Sequence, residues 1–195
     1  MNEPKTNIPN VNRRGALSVA GVGLLSVAAV GVLGASSAMA KAGSATAADA
    51  DILNVALGLE HEAIAAYQVG AGSGLLQKPA LDAAVLFQSH HKAHRDALIG
   101  AIKQLGGAPV DPKSMDQYAA ALGVSAIKSQ TDVLRLAAKL ERGAANAYLG
   151  VIPSFKNSAF AQVAGRLAAD EVMHWTVLSS VLGDSLPSSA LTFGA

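Results

Sequence analysis

Residues 51–67 (DILNVALGLEHEAIAAY) return 81 positions later as residues 132–148 (DVLRLAAKLERGAANAY), with Asp51, Leu53, Ala56, Leu59, Glu60, Ala63, Ala66 and Tyr67 each matched by an identical residue. A second match, at an offset of 80, pairs Ala84 with Ala164, His91 with Glu171, His94 with His174 and Leu98 with Leu178. A chain that repeats two elements in the same order builds one motif twice. In each element the inward candidates recur at i, i+3, i+4 or i+7, the period of a helix with one buried face. They are Leu53, Leu57, Glu60, Ile64 and Tyr67, then Phe87, His91, His94 and Leu98, then Leu134, Ala137, Glu141, Ala144 and Tyr148, then Leu167, Glu171, His174 and Leu178. The repeated motif is therefore a helical hairpin, and two of them predict an all-α four-helix bundle.

Each stripe carries an ionisable group near its middle. The chain has five glutamates, and three of them (Glu60, Glu141, Glu171) occupy these apolar faces. Carboxylates brought unpaired to a bundle centre lose their hydration in a low dielectric, which is prohibitive. A bound cation resolves the conflict.

Start and stop signals divide the chain further. Residues 41–48 (KAGSATAA) read as a linker, after which Asp49 or Asp51 can cap a first helix that runs to about Val69 and is broken by Gly70, Gly72 and Gly74. Lys78-Pro79 opens a second helix that ends near Leu105. Residues 106–124 are too long for a hairpin turn and suit a crossover containing a short helical piece from Pro112 to Leu122. The third helix is expected over about 125–150 and the fourth over about 155–182. The bundle thus spans 49–183, with a loose tail at 184–195.

The pattern Glu-x6-Tyr, His-x-x-His, Glu-x6-Tyr, Asp-Glu-x-x-His resembles the ferritin-like superfamily of di-metal carboxylate bundles, and within it the exported ferritin-like and desiccation-related proteins. The resemblance covers residues 50–183. It implies two transition-metal ions, iron first and manganese as the alternative, held by Glu60, His91, His94, Glu141, Glu171 and His174. It implies that Tyr67 and Tyr148 either donate hydrogen bonds to the ligands or simply pack in the core, and that Asp170 orients a ligand imidazole across the bundle. His91 departs from the family, which has a glutamate there. Three carboxylates against two divalent ions leave a charge of +1, so weaker binding at one metal is expected. A mononuclear centre stays open. Glu62 is the rival of Glu60, but only Glu60 keeps register with Glu141. His61 and His90, each next to a ligand position and so about 100° round the helix, are expected to be exposed, and Trp175 is expected to be a packing residue.

The family's chemistry implies reaction of the metals with peroxide or dioxygen, as an oxidase, peroxidase or catalase-like protein in oxidative-stress protection. The other reading is a bundle stapled by its metal without turnover. No cysteine nucleophile, phosphate loop or Gly-x-Ser-x-Gly competes. Residues 1–40 read as an address: Arg13-Arg14, a Gly/Ala/Val/Leu run to about residue 37, and Ala38-Met39-Ala40 as a cleavage site. This resembles a bacterial twin-arginine export signal, with a retained membrane anchor as the alternative. Removing residues 1–40 changes the net charge from +1 to −1, since Lys5, Arg13 and Arg14 leave with Glu3. Neither nucleic acid nor a membrane is an expected partner of such a domain; metal ions, a small oxidant and a second copy of the chain are.

Overall fold

The computed structural model describes residues 42–194. The expected export signal and its cleavage site lie outside the described residues. Among the described residues five α-helices follow one another: α1 (Ala42–Gly72), α2 (Lys78–Gln104), α3 (Met115–Ala121), α4 (Gln130–Val151) and α5 (Ser158–Leu182), with 3-10 turns at Val124–Ala126 and Ile152–Ser154. None among the described residues is long and apolar enough to cross a membrane.

Helix α1 corrects the expected linker. It runs back through 42–48, because alanine has the highest helix propensity and no proline interrupts the stretch. Asp49 consequently sits inside α1 rather than capping it. Its carboxylate is 2 % exposed and accepts the backbone N–H groups of Lys156 (2.8 Å) and Asn157 (3.0 Å) just before α5. At the other end α1 passes through Gly70, where an added Cβ would meet Val133 Cγ1 at 3.0 Å, so this glycine marks the close approach of α1 to α4. The turn itself uses Gly74, whose φ of 70° lies in the left-handed region.

Helix α2 opens with Pro79 in its first turn, as the sequence suggests, and closes where Gly106 turns left-handed and Gly107 N–H returns to the Ile102 carbonyl at 2.9 Å. Helices α4 and α5 start later than their patterns imply. The reason is capping: Ser129 is extended and accepts the Asp132 N–H, and Asn157 does the same for Ala159. In the crossover, α3 carries a full capping box between Ser114 and Gln117.

The Gln77 N–H donates to Gln130 Oε1 at 2.7 Å, placing the starts of α2 and α4 at one end. Asp49 ties the first turns of α1 to the start of α5 at the other end. So α2 and α4 run parallel, each antiparallel to its hairpin partner, and the long crossover returns between them, held to α1 by Asn54 hydrogen bonds to Ala108 and Val110. Two apolar slabs form. Leu53, Leu57, Leu98, Ile102, Phe160 and Leu167 pack at the Asp49 end, and Phe87, Leu134, Trp175 and Leu178 at the Gln77 end. The expected loose tail is instead packed: Phe193 meets Trp175 edge-on at 5.2 Å, and Gly194 N–H donates to Asn146.

Replacing Asp49 by alanine should cost about 3 kcal/mol, because two charge-assisted hydrogen bonds go and two backbone donors lose their partner. A lowered midpoint in urea with unchanged slope checks this, and Asp49→Asn should lose less.

Candidate metal centre

Between the two slabs lies a polar layer. Glu60 comes from α1, His91 and His94 from α2, Glu141 from α4, and Glu171 and His174 from α5. All six side chains are buried, Glu171 and His174 completely. Glu62 is partly exposed at the edge of the layer, so the register choice falls on Glu60.

The layer divides into two overlapping sets of four donors, each set within 4.8 Å: Glu60, His91, His94 and Glu171, and His91, Glu141, Glu171 and His174. Glu171 belongs to both, one oxygen towards each. Its Oε1 lies 3.3 Å from His94 Nδ1 and its Oε2 lies 3.4 Å from His174 Nδ1. Neither oxygen, nor His94 Nδ1, has a hydrogen-bond partner despite these distances, because the atoms are not aligned for one. Buried carboxylate oxygens without an aligned hydrogen bond are costly unless a positive charge close by compensates them, either a protonated imidazole or a bound cation. The donor set, carboxylate and imidazole, is one that divalent transition metals accept.

His91 is also shared, but differently. Its Nδ1 faces Glu60 Oε2 at 2.8 Å and its Nε2 faces Glu141 Oε1 at 3.2 Å. A ring that donates to both is the imidazolium. Burial opposes that charge, yet the bonds to Glu141 and Glu60 outweigh it and raise the His91 pKa to about 10. His94 reaches about 11 against the same burial cost, through Asp170, Glu171 and Glu60. Burial pushes Glu60 upward as well, but His91 and His94 hold it at about 2. His174 is raised too, since Glu141 and Glu171 outweigh the burial that opposes its charge. Without metal the histidines therefore offset the carboxylates they lie among. This interleaving offsets the cost of burying the carboxylates, and any metal must displace protons to bind.

Each tyrosine reaches across to the other repeat's glutamate. The Tyr67 hydroxyl donates to Glu141 Oε1 and the Tyr148 hydroxyl to Glu60 Oε1. Burial and the adjacent carboxylate charges keep both phenols protonated well past their ordinary range, so they remain donors. The partly exposed Asp170 places Oδ2 at 3.1 Å from His94 Nε2.

His90 is the residue that the sequence reading missed. It is half-buried, with Nδ1 at 2.9 Å from His174 Nε2 and its ring stacked on that of His174. The signal was present in the repeat: Asp170 stands 80 positions after His90, the offset that pairs His91 with Glu171. The residue before the donor in each half thus supports the histidine of the other half. Burial and the nearby His174 lower the His90 pKa, so it accepts the His174 N–H as a neutral ring. That fixes the tautomer that leaves His174 Nδ1 free to bind a metal. His61, also expected to be exposed, is buried, with Nε2 at 3.2 Å from the Val110 carbonyl, because the crossover covers it. Trp175 packs against Phe193 under the Arg142 guanidinium. His90→Ala should weaken metal binding about tenfold, while His90→Asp, which copies Asp170, should retain it; titration of both with iron(II) is the check.

A family model described as a ferritin-like domain matches residues 48–184, which include most of α1, all of α2, α4 and α5, and the whole polar layer. The crystal structure of a conserved hypothetical protein, rv2844, from Mycobacterium tuberculosis shares the fold with a TM-score of 0.59 and 21% identity, over 74% of this chain and 97% of that one. No curated protein matches the chain.

Proposed function

We infer a function from the premise that this chain belongs to the ferritin-like domain family. The protein binds two transition-metal ions, iron or manganese, one in each donor set with His91 completing one of the two, and reacts them with peroxide or dioxygen in protection against oxidative stress. The observation that carries this reading is the pair of unpartnered, fully buried Glu171 oxygens, each directed at a different histidine. Bound metals would supply the electrons and a coordination position for the oxidant. The protein's own groups hold the arrangement. Glu60, His94, Glu141 and His174 are fixed from behind by Tyr148, Asp170, Tyr67 and His90. Phe87, stacked 4.1 Å from His174, and the two apolar slabs keep bulk water out. Purified protein loaded with iron or manganese should consume peroxide, and the metal-free protein should not.

One observation favours a second reading. The histidines and carboxylates of the layer pair with one another across the helices, which suits a site that staples the bundle without turnover. Metal loading that raises the melting temperature without peroxide consumption would select it. Export by the twin-arginine route is part of the proposal, resting on Arg13-Arg14 and Ala38-Met39-Ala40. A secreted form beginning at Lys41 is its check.

A further inference from the structure

A cleft of about 220 Å³ opens between α1 and α4, and its inner end touches the polar layer: His91 and Glu141 both line it. Its walls are Leu59 and Ala63 on one side and Leu140 and Ala144 on the other. These are repeat-related pairs, so the cleft lies where the two hairpins face each other. The repeat breaks at the rim, where Glu62 is matched by Gly143. Glycine in mid-helix costs about 1 kcal/mol relative to alanine, and at Gly143 no packing demands it, since an added Cβ would meet nothing within 4 Å. Its evident effect is to leave the rim open. Other sides of the layer are covered, by the slabs above and below, by Phe87 and His90 over His174, and by Asp170 at His94.

We propose that the α1–α4 cleft is the entrance through which a small neutral oxidant reaches the centre, with Gly143 holding it open. The walls decide the class of solute. A hydrated ion would shed water against leucine and alanine with no replacement ligand, whereas dioxygen or undissociated hydrogen peroxide loses little there. At the rim Glu62 and Lys139 bring opposite charges, so the mouth attracts neither anions nor cations as a class. This inference rests on the proposed reaction with an oxidant, and it names the molecule's route and kind.

The test uses the metal-free protein, so that it does not depend on the metal reading. Dissolved dioxygen is paramagnetic and speeds the nuclear relaxation of the protons it approaches. Under dioxygen pressure the Ala63 and Ala144 methyls and the His91 ring should relax several-fold faster than the His174 ring, which Phe87 covers. Gly143→Leu should fold, because leucine is the better helix former and the space is open, and should return the His91 ring to the level of His174. Ala93→Leu, on the exposed outer face of α2, should change nothing. Equal relaxation of His91 and His174 in the wild-type protein would overturn the entrance, and so would a Gly143→Leu variant indistinguishable from wild type. Metal content of the same two proteins is measured separately. A wild-type protein that takes up no metal while its cleft admits dioxygen would sink the proposed function and leave the entrance standing.

Discussion

Glu171→Ala is expected to remove metal binding at both positions, whereas Glu60→Ala should disable one. Glu171 is the only carboxylate common to the two donor sets, and its two oxygens face opposite histidines. Its loss leaves each set with one carboxylate and two imidazoles, His91 being counted twice, and removes the charge nearest both ions. An affinity loss of at least about a hundredfold at each position is the expected scale, equivalent to about 3 kcal/mol per ion. The metal-free variant should not be destabilised in proportion. Burial keeps the Glu171 pKa raised, so this carboxylate is the costliest of the three to hold ionised, and alanine removes that cost together with side-chain volume. Elemental analysis after dialysis against excess iron(II) checks the first part, and melting in the presence of a chelator checks the second. Retention of one full equivalent of metal by Glu171→Ala would contradict the shared-carboxylate geometry.

The second large effect concerns His91. A carboxylate at this position has an oxygen for each metal, but a neutral imidazole has a single lone pair. His91 can therefore complete one donor set and not the other, which makes the two positions unequal. His91→Glu should make them nearly equal and bind the second ion more tightly. It should also destabilise the metal-free protein, by on the order of 10 °C in melting temperature, because an imidazolium that pairs Glu60 with Glu141 becomes a fourth carboxylate. The pH dependence of the metal-free wild-type protein follows from the same pairs. His91 and His94 have folded pKa values of about 10 and about 11, above the ordinary 6.5, so their contribution is complete below pH 6.5 and disappears as pH rises through 10 to 11. Glu60, lowered to about 2, contributes above pH 4.5 and loses its contribution as pH falls through 2. Metal-free protein should accordingly be most stable between about pH 4.5 and 6.5 and fall steadily into alkaline solution. Metal-loaded protein should lack that alkaline decline, since the ions have already displaced the protons. Both proton affinities lie far above an imidazole's ordinary value because each ring is held between carboxylates.

The hairpin duplication and the polar register were legible because both are written in periodicity. Glu60 and Glu141, or His94 and His174, can be matched by counting, and the structure places them in one layer. What escaped depends on which helix faces which. Nothing in the stretch around Asp49 says that its carboxylate will meet the backbone before α5, more than a hundred residues on. His61 reads as exposed until the crossover is laid over it. The residues near the C-terminus carry no helical period, yet Phe193 finds Trp175 and Arg142. His90 is the instructive case, because the repeat that located the donors also located it, once Asp170 was seen to serve the opposite half.

The most direct measurement is anomalous scattering from crystals of the metal-loaded protein. Two peaks are expected about 3.5–4 Å apart, one beside His94 and Glu60 and one beside His174 and Glu141, with Glu171 between them and unequal occupancy when metal is limiting. A single peak, or metal bound only at the surface while this layer keeps its imidazolium–carboxylate pairs, would contradict the two-metal centre.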